Sequence, residues 1–330
     1  MHLLVTGSAG FIGSNLTLRA LARGDTVTGV DNFHPFYPRS LKELNVQEAA
    51  QVGGERFRFL EGDVLDGSTW EALASLPRVD ALVHLAGHSD LMGSLQNPVE
   101  YINVNVDGTV RALDFCRLHS VARFVFASSC MVYGDDAEVP LVETNPAIRP
   151  MSPYAVSKRT GEMLCHAYYH LYGIATTCLR FFSVYGPRQR PDMAIPQFVM
   201  AIRGGREVRL FGKGEMIRDY SHVEDIVDGI FLALEGATGL AVYNLGSAGP
   251  VSTMELVREI EKALGQEAHL QLLPGRPGEL SVNYASIEKA TRELGYSPKL
   301  SLREGVADYV RWFAANEHHI RLALGDLERP

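Results

Sequence analysis

Short runs of β-branched and aromatic residues alternate with longer stretches of helical spacing over the first 180 positions. The runs HLLVT (2–6), TVTGVD (26–31), FRFLEGD (57–63), ALVHLAG (81–87), RFVFASS (123–129) and TTCLRFF (176–182) predict strands. Between them, segments such as VEYINVNVDGTVRALDFCRLH and YAVSKRTGEMLCHAYYHLYG carry apolar residues at helical intervals. Strands that are apolar almost throughout, alternating with helices, predict an α/β fold with a doubly wound parallel sheet covered on both faces.

The rhythm breaks after Arg180. Pro187, Pro191 and Pro196 punctuate a loop, followed by a helix at 197–203, the segment REVRLFG and another helix from about Val223. The remainder predicts a helix at 253–264, a strand at 269–273, the loop PGRPGE, and helices near 286–294 and 302–315. The organisation expected is a larger region, 1–182 with 221–247 returning to it, and a smaller C-terminal α/β region, 183–330 less 221–247. No linker is long enough to separate them, so they should share one cleft.

Composition narrows the partners. The 330 residues carry a formal net charge of -8, which argues against nucleic acid or an anionic membrane surface as a partner. The first apolar run is too short for a signal peptide or membrane span. Cys116, Cys130, Cys165 and Cys178 are scattered without metal-ligand spacing, which fits the reducing cytoplasm. The eleven histidines form no H-E-x-x-H or H-x-H pattern, and no metal site is expected from spacing.

TGSAGFIG follows the first strand and opens the first helix, spacing Gly7, Gly10 and Gly13 as G-x-x-G-x-x-G. Glycine allows a tight turn and lets a pyrophosphate approach a helix N-terminus, where free N–H groups and the dipole favour negative charge. Phe11 and Ile12 lie inside that turn. Asp31 ends the second strand, where a carboxylate accepts hydrogen bonds from an adenosine ribose and repels a 2′-phosphate. No arginine follows within the next few positions, so a Rossmann-type region binding NAD rather than NADP is expected.

Tyr154 and Lys158 form Y-x-x-x-K, and positions i and i+4 share a helix face. A phenol with an ordinary pKa of about 10 becomes a usable general base near neutral pH if nearby positive charge favours the phenolate. The fifth strand ends in ASSCMVYG, which puts Ser128 and Ser129 at the edge where doubly wound sheets bind ligands. Ser129 is placed to hydrogen-bond the hydroxyl that Tyr154 deprotonates.

TGSAGFIG, Asp31, SSCMVYG and YAVSK, in that order, resemble the extended short-chain dehydrogenase/reductase family, and within it the nucleotide-sugar epimerases. The resemblance spans nearly the whole chain, through RDYSHVEDIVDGI (218–230) and RPGEL (276–280). It implies a Ser129–Tyr154–Lys158 triad and a homodimer formed through helices at 98–118 and 152–172. It also implies cofactor contacts from Asn32, Asp63, Val64, Leu85, Ala86, Gly87 and Asn105. Arg218 and Arg276 match arginines that clamp a diphosphate, Glu279 an acid on the nucleotide ribose, and Phe211 an aromatic that packs on uracil. The substrate class implied is therefore a UDP-sugar.

FFSVYGPRQRPDMA (181–194) is similar to the corresponding segment of UDP-glucuronate 4-epimerases, with Ser183 in place of threonine. By position, Ser183 and Arg190 face the sugar carboxylate together with Ser128 and Ser129, whereas Arg188 has no role in that pattern. The segment SDLMGS replaces the A-G-V-R-Y-S of those enzymes, with Met92 in place of arginine. Cys130 and Met131 stand where sugar 4,6-dehydratases carry an acidic pair, which disfavours elimination chemistry. The expected activity is NAD-dependent 4-epimerisation of UDP-glucuronate. A UDP-glucose or UDP-N-acetylglucosamine 4-epimerase, a UDP-glucuronate decarboxylase and a non-catalytic NAD-binding regulator stay open as alternatives.

Overall fold

The computed structural model describes residues 1–75, 77–135, 137–236, 238–275 and 281–325. Six strands alternate with helices in the first half: β1 (His2–Thr6), β2 (Thr26–Asp31), β3 (Phe57–Glu61), β4 (Ala81–His84), β5 (Arg123–Ser129) and β6 (Ala175–Phe181). Seven more follow: β7 (Ser183–Tyr185), β8 (Glu207–Leu210), β9 (Ile217–His222), β10 (Leu240–Leu245), β11 (Pro250–Ser252), β12 (His269–Leu272) and β13 (Val282–Asn283).

The main sheet runs β3-β2-β1-β4-β5-β6-β10, and every neighbouring pair is parallel. Strands β1, β4, β5 and β6 are buried along almost their whole length, the cost-free place for such apolar runs. On one face, Leu16 and Leu21 from helix Phe11–Ala22 pack with Ile226, Ile230 and Leu234 from helix Val223–Gly236. On the other, Leu113, Cys116 and Cys165 from helices Gly108–Leu118 and Pro153–Tyr172 meet Phe124 and Phe126. This is the doubly wound, Rossmann-type architecture, and the order reverses between β1 and β4, which opens a crevice at the C-terminal edge.

The third and fourth strands end earlier than their apolar runs suggest, at Glu61 and His84. Asp63, Val64, Leu85, Ala86 and Gly87 therefore lie in loops beyond the ladder. The predicted helix over 98–118 is continuous but not uniform: Pro98–Ile102 and Gly108–Leu118 flank a π-helical turn, Asn103–Asp107. The last helix extends from Leu302 to Ala323, past the expected end at 315.

The C-terminal region has two small sheets, β11-β9-β13 with β7 also paired to β9, and β12-β8. Its core gathers Phe198, Val199, Leu256, Ile260, Tyr309 and Phe313 from three helices. Asp219, fully buried in β9, accepts from the backbone N–H of Ser247, Ala248 and Ala285 at 2.6, 3.2 and 3.1 Å. That one carboxylate ties β9 to the chain returning from β10 and to the chain leaving β13, beside its neighbour Arg218. No helix among the described residues is long and apolar enough to cross a membrane.

Candidate active site

A cleft of about 490 Å³ lies along the C-terminal edge of the main sheet, between it and the smaller region. The glycine turn forms its floor. Gly7 has φ +72°, and a Cβ there would lie 2.7 Å from the Ala86 backbone nitrogen. At Gly13 a Cβ would lie 2.1 Å from the Gly7 carbonyl oxygen. Any side chain at either position would fill the cradle, so only glycine leaves the first turn of helix Phe11–Ala22 open, with its unpaired N–H groups available to an anion.

Asp31 is buried beside this turn. Its carboxylate accepts from the Phe33 and Ala9 backbone N–H at 2.9 and 3.2 Å. Burial pushes the Asp31 carboxyl above its ordinary pKa, against a lowering by the Lys42 ammonium and those N–H groups. Lys42, a cleft residue that sequence reading missed, donates to the His34 carbonyl at 2.8 Å. Asn32 donates to Asp63 Oδ2 at 2.8 Å, joining the ends of β2 and β3. These residues fit a dinucleotide: a glycine cradle at a helix start, flanked by carboxylates at two strand ends.

Tyr154 sits in the first turn of helix Pro153–Tyr172. Ser152 caps that helix by accepting from the Ala155 N–H at 3.1 Å, and Pro153 occupies the position where no intrahelical donor is needed. Lys158 follows one turn later and donates to the Ala127 carbonyl at 2.9 Å, which holds its nitrogen against the end of β5. Ser129, the last residue of β5, lines the cleft with Tyr154, and its hydroxyl oxygen accepts from the Met131 N–H at 3.2 Å. Serine, tyrosine and lysine thus converge in the cleft.

The electrostatics depart from the expectation that the lysine lowers the phenol. Burial pushes Tyr154 up to about 12, with the nearby Ser129 hydroxyl opposing it, and pushes Lys158 down to about 8. The protein by itself therefore keeps the phenol protonated at neutral pH, and added positive charge in the cleft is required to make it a base.

Gly10, Phe11, Ile12, Val64, Leu85, Gly87, Ser128, Ser183, Arg190 and Arg218 also line the cleft. Arg190 donates to Ser89 Oγ at 3.0 Å and lies over the Phe36 ring at 4.4 Å. Three expected contacts look different in the structure. Asn105 is buried away from the cleft: it accepts from the His88 N–H at 2.8 Å and donates to the His88 carbonyl at 3.0 Å and Ser157 Oγ at 2.8 Å. It supports the loop after β4 instead of lining the cavity. Ser128 lines the cleft, but its hydroxyl proton is committed to Glu162 Oε1 at 2.6 Å, which leaves it nothing to donate to a sugar carboxylate. Phe211 starts the turn Phe211–Gly214 and is not part of the cleft wall. Arg276 and Glu279 lie outside the described residues.

Glu162 itself was not anticipated. It is buried, receives Arg180 Nε and Nη2 at 2.8 Å each, and pairs with Arg159 at 2.8 Å. Although burial alone would raise its pKa, Arg180 and the Ser128 hydroxyl hold it below the ordinary value. Cys130, also in the cleft wall, accepts from Asn283 Nδ2 at 3.2 Å. Arg188 faces away, paired with Glu48 at 2.7 Å and Asn15 at 3.0 Å.

Residues 3–246 match the model of the NAD dependent epimerase/dehydratase family. A probable UDP-glucuronate 4-epimerase of Rhizobium meliloti is 33% identical over 96% of this chain and 98% of its own length. The crystal structure of the UDP-glucuronic acid 4-epimerase from Bacillus cereus, in complex with UDP-glucuronic acid and NAD, superposes with a TM-score of 0.88 at 33% identity, covering 96% of this chain and 99% of that one. UDP-glucose 4-epimerase from Thermotoga maritima, with UDP-glucose, gives a TM-score of 0.87 at 30% identity over 96% of this chain and 100% of that one.

Proposed function

Because the chain belongs to the NAD-dependent epimerase/dehydratase family, we propose that it interconverts UDP-glucuronate and UDP-galacturonate at C4 with NAD as cofactor. The observation that carries the choice of sugar is Arg190. Its guanidinium lines the same cavity as Tyr154, held there by Ser89 Oγ at 3.0 Å. An arginine on that wall suits a carboxylate on the carbon next to the reacting centre, which would compete with Asp192 for its guanidinium edge, and a neutral hexose brings no such anion.

Bound NAD supplies the hydride acceptor and donor for C4, and its oxidised ring adds the positive charge that favours the Tyr154 phenolate. Tyr154 removes the proton of the 4-hydroxyl while the C4–H bond breaks, which leaves a ketone at C4. Ser129 holds the same oxygen through its hydroxyl. Lys158 keeps the local potential positive from its anchor on the Ala127 carbonyl. After the sugar turns its other face, Tyr154 returns the proton as the C4–H bond reforms.

The 4-ketone of a uronic acid is a β-keto acid that loses carbon dioxide when its carboxylate aligns with the carbonyl π-system. Arg190 and Ser183 hold the carboxylate out of that alignment, which separates this activity from decarboxylation. Residues 1–182 with 221–247 bind the dinucleotide, and the rest, including Arg218, binds the sugar nucleotide. Arg276 and Glu279 complete the diphosphate and ribose contacts.

A homodimer is supported by two exposed apolar helix faces, with Val99 and Leu118 at 70% and 64% exposure on one and Met163 and Leu171 at 60% and 65% on the other. The four buried, unpaired cysteines suit a cytoplasmic enzyme. Incubation with UDP-glucuronate, UDP-glucose and UDP-N-acetylglucosamine separately, followed by product identification, tests the assignment. Turnover of a neutral sugar with UDP-glucuronate left unchanged overturns it.

A further inference from the structure

Three side chains that no sequence motif joins meet at the rim of the cleft. His34 lies in the loop after β2, His88 in the loop after β4, and Glu100 on helix Pro98–Ile102. His34 Nε2 and His88 Nε2 are 3.2 and 3.1 Å from the same oxygen, Glu100 Oε1. The ligand atoms of the three all lie within 4.8 Å of one another. For bonds of about 2.0–2.1 Å around a tetrahedral zinc ion, neighbouring ligand atoms stand about 3.3 Å apart. The two nitrogen–oxygen separations are already close to that edge.

The backbones that carry these side chains are held independently of the cluster. The His88 N–H and carbonyl are both bonded to the Asn105 amide. The His34 N–H donates to Asn32 Oδ1 at 2.9 Å, and its carbonyl accepts from Lys42 at 2.8 Å. Tyr101, buried beside Glu100, packs edge-on to the His88 ring at 5.1 Å between centroids. Ligands arranged in advance lose little freedom on taking up an ion.

We propose that His34, His88 and Glu100 form a binding site for a divalent cation of the zinc class, with a fourth position open to water or to a ligand in the cleft. Two imidazoles and one carboxylate match that class of ion better than a calcium or magnesium ion, which prefers oxygen. A bound ion would tie the loop after β2 to the loop after β4, beside Phe36 and Arg190. His34 Nδ1 is buried without a hydrogen-bond partner. The ring therefore lacks the outer support usual for metal-bound histidine, and a micromolar rather than nanomolar affinity is expected. This inference does not depend on the sugar assignment.

The test uses the full chain without an affinity tag, stripped with a chelator and titrated with zinc sulfate by calorimetry. One equivalent should bind, and Tm should rise with zinc concentration. His34→Ala and Glu100→Gln should each weaken binding by at least about 10- to 100-fold. Their side chains are 32% and 44% exposed, so the fold survives both changes. A His318→Ala, His319→Ala double variant should bind as the parent does. Cobalt(II) in place of zinc should give the intense visible bands of a four-coordinate site, lost in both ligand variants. Substoichiometric uptake by the parent chain overturns the proposal. So does uptake that is unchanged in His34→Ala and Glu100→Gln, or abolished by the His318, His319 double variant.

Discussion

Arg190 grips Asp192 through two parallel hydrogen bonds, Nε to Oδ1 at 3.1 Å and Nη2 to Oδ2 at 2.8 Å. The arginine side chain is mostly covered and the aspartate is 40% exposed. A substrate carboxylate would compete with Asp192 for the same guanidinium edge. Arg190→Leu should lower kcat/KM for UDP-glucuronate by about 30-fold to several thousand-fold, the range for an unpaired charge in a water-poor site. UDP-glucose turnover should change little. Equal losses for both sugars would show that Arg190 serves the fold or the diphosphate. Asp192→Asn should change KM for UDP-glucuronate by less than about fivefold, because an exposed ion pair is worth no more than ~1 kcal/mol.

Tyr154→Phe keeps the ring that fills the site and removes the proton acceptor. Turnover should fall by roughly 10² to 10⁴. Binding of the sugar nucleotide, measured by calorimetry, should be nearly unchanged. A variant with half the parent's activity would remove Tyr154 from the role of base.

Lys158 gives a stability signature in the cofactor-free protein. Its folded-state pKa, near 8, lies below the ordinary 10.5, so the unfolded chain binds more protons between those values. Stability must rise with pH through that window. Tyr154, raised to about 12 from 10.0, subtracts nothing until pH exceeds 10. Between pH 8 and 10, urea denaturation of the parent should therefore gain on the order of 2 kcal/mol relative to Lys158→Met. Parallel curves for the two proteins would mean that the lysine is solvated.

Gly13→Ala should empty the nucleotide site. The added carbon meets a backbone oxygen, which cannot swing aside as a flexible side chain would, so the first turn of the helix has to shift. The parent should purify with NAD(H), released on denaturation, and the variant with little or none. Full occupancy of the variant, or NADP in the parent, contradicts the reading of this turn and of Asp31.

The Glu162–Arg180 pair is buried on both sides, with side-chain exposures of 1% and 3%. Arg180→Leu leaves the buried carboxylate beneath β5 with only Arg159 and Ser128 as partners and should cost about 3–5 kcal/mol in urea unfolding. Loss of less than about 1 kcal/mol would mean that Glu162 takes up a proton or water instead.

Sequence reading reached the glycine turn and the Tyr154–Lys158 pair because each is a local pattern whose geometry follows from one helix. It also reached six of the seven main strands, whose apolar runs are long and flanked by glycine or polar breaks. Strand β10 was not singled out. LAVYNL resembles many short apolar segments, and only pairing with β6, more than sixty residues earlier in the chain, makes it a sheet edge. The partners of Asn105 and Ser128 were not legible for a related reason. Each is adjacent in sequence to cleft residues, but its hydrogen atoms go to His88 and Ser157 in one case and Glu162 in the other. Lys42, Phe36 and Glu162 reach their sites from helices and loops whose spacing encodes burial but no partner. The His34, His88 and Glu100 grouping has no spacing at all to read, since three separate segments supply it.

The return of the chain to the main sheet at β10 has a mechanical result. The polypeptide leaves the sheet after β6, builds β7 to β9 of the smaller region, comes back as the edge strand, and leaves again toward β11. More than one covalent crossing bridges the cleft, so the two walls cannot swing apart about a single hinge. The smaller region also cannot be removed by cutting at residue 182. A fragment ending there would carry β6, buried along almost its whole length in the intact chain, as a bare sheet edge with its hydrogen-bonding groups unpaired, a template for aggregation rather than a free-standing nucleotide-binding module.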